Sequence, residues 1–212
     1  MHAKNLSVCV LFVFLVALPQ HSVGGEPADS HALYQKDRIS LQVVTGPMFA
    51  SSVVGPDIPD FNYWLTNVRL GWMFTSPEQD GGFWNGNWEA LLELSNSIIY
   101  DGFGDYVFGL SGLIRYNFAD RESRFIPYLQ AGFGLVYSDA YEDLSQGAIG
   151  QAVNFMPQAG VGFRYLVGKS WSLDAEALFQ HISNAGMDER NDGVNAFGAC
   201  IGISYFWDGL WR

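Results

Sequence analysis

Eight stretches of the chain alternate apolar and polar residues with a period of two, at about 39–50, 62–75, 83–98, 106–118, 125–137, 152–166, 171–183 and 195–207. In the fourth, Phe108, Leu110, Ile114, Tyr116 and Phe118 oppose Gly109, Ser111, Arg115 and Asn117. Successive side chains of a strand point to opposite faces, so each stretch predicts a strand with one greasy and one polar or small face. The greasy rows are aromatic and aliphatic throughout. The other rows carry Arg69, Arg115 and Arg164 together with Glu89, Glu93, Asp174 and Glu176. A soluble sandwich would bury the greasy rows and has little use for a row of charges in its core. A membrane barrel reverses the pattern, apolar out and polar in. The fold class predicted is therefore all-β, an eight-stranded antiparallel transmembrane β-barrel. At eight strands the interior is just filled by side chains, so the opposite charges pair inside a plugged core.

Composition sharpens this reading. Aromatic residues make up 16% of the 212 residues and charged residues also only 16%, with 24 glycines. That charge content lies below the roughly 25% of soluble domains. Residues 1–25 read as a signal peptide, with Lys4, the apolar run LSVCVLFVFLVAL and small residues before Gly25. Residues 26–212 form a single barrel domain, opened by a polar lead-in at 26–38 and exported to the outer membrane. Cys200 is the one cysteine after that signal, so neither an intramolecular disulfide nor a cysteine metal site is expected, and no cofactor. The net charge of −11 argues against a nucleic-acid partner. With a periplasmic N-terminus, the 184–194 loop is extracellular. The short turn at 167–170 and the long connection at 138–151 agree with that orientation.

The candidate chemistry lies at the junction of the last two strands. From Trp171 the greasy row runs Leu173, Ala175, Ala177, Phe179 and then His181 and Ser183, while Asp174 and Glu176 share the polar row. Reactive groups thus sit on the lipid-facing wall, where polar side chains are costly and often functional. Residues two apart on one face have β-carbons roughly 6–7 Å apart, within reach of an imidazole nitrogen and a serine hydroxyl. That is the requirement for base-activated nucleophilic attack in acyl transfer or hydrolysis. Asn184, Asn191 and the backbone around Ala185–Gly186 adjoin as donors to an oxyanion. The bland alternative for a His-x-Ser is a polar strand end.

The wider string FQHISNAGMDERNDGVNAFG is more specific. Through HISNAG, the following NDG and a final barrel strand, it resembles the lipid A 3-O-deacylase (PagL-type) family over about 165–207. The resemblance implies His181 as base, Ser183 as nucleophile, and Asn184 and Asn191 at the oxyanion site with a backbone donor from Gly186. It implies an outer-membrane serine esterase that removes the 3-O-linked acyl chain from lipid A in lipopolysaccharide, its partner in the outer leaflet. Phe155, outward on the sixth strand, is a candidate acyl-chain contact or plain lipid contact.

One position departs from the family. Its catalytic acid is expected where this chain has Asn195, on the outward row of the last strand. An amide oxygen can still hold the imidazole tautomer but supplies no full charge. Asp188, Glu189 and Asp192 could substitute only if their loop folds back. The competing reading is a non-catalytic structural or adhesive barrel in which Asn195 marks a lost triad. Acyl-chain preference, homodimer formation, regulation and metal dependence are not legible.

Overall fold

The computed structural model describes residues 30–50, 60–78, 84–119 and 123–209; the signal segment 1–25 lies outside them. Each alternating stretch is a strand: β1 (Ile39–Ala50), β2 (Asn62–Met73), β3 (Asn87–Asp101), β4 (Tyr106–Asn117), β5 (Phe125–Ser138), β6 (Val153–Val167), β7 (Trp171–Ile182) and β8 (Val194–Trp207). They pair antiparallel in sequence order, and β1 meets β8 to close the barrel. Strands of 12 to 15 residues exceed the 9–11 or so that a tilted strand needs to cross the hydrocarbon, so the ends project beyond it. β3 departs most from its predicted bounds, starting at Asn87 rather than 83 and running on to Asp101.

Burial follows the alternation. Leu92, Leu110, Leu129, Phe133 and Leu173 are each about half exposed on the outer wall, as surface meant for lipid must be. Aromatic pairs ring the end away from His181, with Trp88 on Tyr116 and Trp171 on Tyr205 at centroid distances of 4.9 and 4.7 Å. Such amphipathic rings suit the membrane–water interface.

Inside, the charges pair. Arg69 donates through Nε to Glu93 at 2.6 Å and through both terminal nitrogens to Glu176 at 2.7 and 2.9 Å. Arg164 donates to Glu89 at 3.0 Å. Arg115 bonds Gln42 at 2.7 Å and Gln130 at 2.7 and 3.0 Å, and lies over the Tyr128 ring. Asp174 is held by neutral donors, Gln42, Ser172 and Ser204. These groups are shut off from solvent, and such charges persist only when paired or hydrogen-bonded.

Two features go beyond the predicted plug. Toward the end that carries His181 the interior turns apolar, with Met48, Tyr63, Leu65, Val136, Met156 and Ile182 in one cluster. The 139–152 connection folds over that mouth and adds Ala140, Ala148 and Ile149 to the same cluster. At the other end the lead-in is more than a polar tail. It forms a short helix α1 (Ser30–Leu33), after which Tyr34 plugs the barrel against Phe206, and Asn87 donates to the Tyr34 carbonyl at 2.9 Å. Cys200 lies on the inward row as a buried free thiol among apolar neighbours.

Candidate active site

The site is a product of where β7 ends. Beyond Ile182 the chain makes one more bridge to β6. Ser183 N–H donates to the Phe155 carbonyl at 3.1 Å, and Phe155 N–H donates back to Ser183 at 2.8 Å. This extra pair keeps Ser183 in strand geometry, so its side chain stays on the outward row with His181. Across the other seam, His181 is directly opposite Asn195 of β8.

The three side chains come together. His181 Nδ1 lies 2.7 Å from Asn195 Oδ1, and its Nε2 lies 2.9 Å from Ser183 Oγ. An amide oxygen can only accept, so Nδ1 carries the ring proton and the Nε2 lone pair faces Ser183, whose hydroxyl donates to it. That is the protonation state in which an imidazole can take the serine proton during attack on a carbonyl. Asn195 is only 8% exposed, which shields its bond to the ring from competing water.

Asn184 starts a tight turn and its groups are engaged internally. Its N–H donates to Asn191 Oδ1 at 2.7 Å, and its Nδ2 donates to the Arg190 carbonyl at 3.0 Å. Its Oδ1 accepts from the N–H groups of Gly186 and Met187 at 2.9 and 3.1 Å. A free backbone donor at Gly186 is therefore not present in this geometry, because Asn184 takes that N–H. The N–H of Ala185 and the Nδ2 of Asn191 meet no hydrogen-bond partner among the described residues. Ala185 itself adopts a left-handed backbone, φ 56°.

Asp188 accepts from Arg190 N–H at 3.0 Å, and neither it nor Glu189 nor Asp192 bonds His181, both of whose ring nitrogens are engaged. The Phe155 ring is half-buried, 5.7 Å from that of Phe133. Among the described residues no three His, Cys, Asp or Glu side chains gather as metal ligands.

Sequence reasoning missed Gly193, the last residue of the NDG string. Its φ of 75° favours glycine, and a β-carbon there would lie 3.0 Å from His181 Cε1. Any side chain would press on the imidazole, so the glycine sets the ring's back wall. The signal was present in an Asp-Gly turn dipeptide ahead of β8. Across from it in the 139–152 connection, the Ser145 hydroxyl and N–H hold the exposed Asp143 carboxyl below the usual carboxylate range, with Arg190 adding in the same direction.

A family model for lipid A 3-O-deacylase (PagL) matches residues 62–204, well over half of the chain. Among curated proteins the chain is similar to the lipid A deacylase PagL of Pseudomonas aeruginosa. The two are 26% identical over 129 residues, which make up 59% of this chain and 66% of that relative, so the chain spans just under two thirds of its length. Among solved structures it is similar to the outer membrane enzyme PagL, with a TM-score of 0.52 at 17% identity over 77% of this chain and 97% of that one. It is also similar to Neisserial surface protein A, with a TM-score of 0.55 at 16% identity over 79% and 96% of the two chains. These structural likenesses give the fold, an outer-membrane barrel, which by itself does not imply an activity.

Proposed function

Because the chain belongs to the lipid A 3-O-deacylase (PagL) family, we propose that it is an outer-membrane serine esterase that removes the 3-O-linked acyl chain of lipid A. The observation that carries this reading is the line Asn195 Oδ1, His181 and Ser183 Oγ, with contacts of 2.7 and 2.9 Å on the lipid-facing wall. In the proposed reaction His181 Nε2 takes the Ser183 proton as Oγ attacks the ester carbonyl. The tetrahedral oxyanion is met by Asn191 Nδ2 and the Ala185 N–H. Collapse breaks the bond to the sugar oxygen, which leaves with the proton held by His181. Water, deprotonated by the same ring, then attacks the acyl-serine to release the fatty acid and restore Ser183.

The other residues take supporting parts. Asn184 and Gly186 shape the turn that presents these donors, and Phe155 borders the acyl chain beside Ser183. The segment at 1–25 exports the chain, and the site faces the outer leaflet.

Asn195 has a specific expected role, to fix the imidazole tautomer. Asn195→Ala removes a hydrogen bond to a group that becomes charged, worth about 1.5–3 kcal/mol, so kcat is expected to fall on the order of 10–100-fold. Asn195→Asp puts a carboxylate in the same place. Charge-assisted bonds are roughly twice as strong as neutral ones, and kcat is expected to rise. Steady-state kinetics in detergent check both. An alanine variant as fast as wild type would remove Asn195 from the mechanism.

The second reading, a non-catalytic barrel, rests on that same asparagine. Mass spectrometry of lipid A from cells expressing the protein separates the two. Loss of one acyl chain supports the esterase, and unchanged lipid A beside a folded barrel supports the structural reading.

A further inference from the structure

The loop that carries the oxyanion donors, 184–193, does not stand alone. Arg190 reaches across to the 139–152 connection and donates to three of its backbone carbonyls, Tyr141 and Asp143 at 3.0 Å each and Gly150 at 3.4 Å. At the same residue, the Arg190 carbonyl accepts from Asn184 Nδ2, next to Ser183. Two backbone bonds continue the seam, Asp192 N–H to Gly147 and Gly193 N–H to Ala148, each 3.1 Å. The approach is close, since a β-carbon at Gly150 would overlap the Asp188 carboxylate and lie 2.6 Å from the Arg190 carbonyl.

The 139–152 connection is itself a rigid partner. The side chain of buried Gln146 donates to the carbonyls of Ala140, Asp143 and Ile149 and accepts from the N–H groups of Ala148 and Ile149. Ala140, Ala148 and Ile149 are rooted in the apolar cluster that closes the barrel mouth. The load path therefore runs from the barrel core, through this cap, into Arg190 and Gly193, and so to the ring of His181.

Resting on the esterase reading, we propose that Arg190 is a positioning residue, the latch by which the 139–152 cap holds the 184–193 loop in the geometry that activates Ser183 and aims the oxyanion donors. A guanidinium suits the task because its planar fork serves several carbonyls at once, which an ammonium cannot match. The hydrogen bonds of Arg190 go to the cap and its own loop, and those of the His181 and Ser183 side chains to Asn195 and each other. Arg190 acts by fixing where the loop sits, and a misplacement of about 1 Å remote from the chemistry can cost on the order of 100-fold in rate.

The test uses the full protein folded in detergent, with a small serine-directed fluorophosphonate whose phosphorus bonds Ser183 Oγ as fluoride leaves. Its labelling rate reports activation of Ser183 without lipid A. Arg190→Ala is expected to slow labelling and kcat together, on the order of 100-fold, with KM little changed. Amide hydrogen exchange over 184–193 is expected to accelerate, while the barrel keeps its heat-modifiable mobility on electrophoresis. Arg190→Lys, with its charge but not its fork, is expected to fall between alanine and wild type. Labelling, kcat and exchange all at wild-type levels in Arg190→Ala would overturn the latch. If the alanine variant does not fold, a lysine variant labelled at the wild-type rate would overturn it as well. A wild type that deacylates no lipid A but labels at Ser183 fails the substrate reading alone, and the labelling rates still decide the latch. A wild type that does not label at Ser183 refutes both.

Discussion

Ser183→Ala is expected to lower ester hydrolysis by at least about 10,000-fold while leaving the barrel as stable as wild type. The magnitude follows from what a nucleophile contributes in serine hydrolases, where loss of the serine or its base leaves only what binding and the oxyanion site supply. Stability should hold because the Ser183 backbone, not its hydroxyl, makes the bridge to Phe155. Among the described residues the hydroxyl's one hydrogen-bond partner is His181, at a half-buried position on the outer wall. His181→Ala is expected to cost about as much as Ser183→Ala, and the double variant little more, since the two act as one unit. Additive losses in the purified proteins would mean that the pair does not work together, and the mechanism would have to be redrawn.

The opposite profile is expected for Arg69→Met, with activity per folded molecule kept and stability lost. Arg69 is fully buried between Glu93 and Glu176, with ion-pair contacts of 2.6 and 2.7 Å. Methionine fills much of the volume but leaves two carboxylates in the interior without their guanidinium. Tyr128 and Gln130 still donate to Glu176, and Asn67 and Gln158 to Glu93, yet neutral donors replace only part of a full charge. Removing one partner of a buried pair costs about 3–5 kcal/mol. Reversible urea unfolding in detergent is the measurement. A loss under about 1 kcal/mol, the range of an exposed pair, would mean that the interior is far wetter than its burial implies.

Much of the barrel was legible because its determinants are periodic. β1 begins at Ile39 and ends at Ala50 as the alternation alone predicts, and Arg69, Glu93 and Glu176 fall on inward rows that only a closed barrel can reconcile. Where the pattern weakened, the bounds slipped. The alternation ends at about 98, yet β3 runs on to Asp101 because Ile99 pairs with Tyr63 and Asp101 with Asn62 of β2, around a register shift at Tyr100. Period two also put His181 and Ser183 on one face.

What periodicity could not give was the loops. Arg190 contacts backbone carbonyls, and carbonyls carry no side-chain identity for a pattern to mark. Asn184 read as an oxyanion donor, but its side chain is spent organising the turn, a competition inherent to a residue that readily bonds nearby backbone. The apolar layer under the site mouth leaves no mark in the pattern, because Val44 and Met48 on an inward row look like exceptions to a polar rule. They form the floor on which the 139–152 cap sits.

The most direct measurement uses purified, folded protein with a defined hexa-acylated lipid A, and mass spectrometry of both products. Release of one fatty acid, from the ester at the 3 position, by wild type and not by Ser183→Ala is the expected result. No release from a folded barrel, or release from another position, would contradict the assignment of this site as a lipid A 3-O-deacylase.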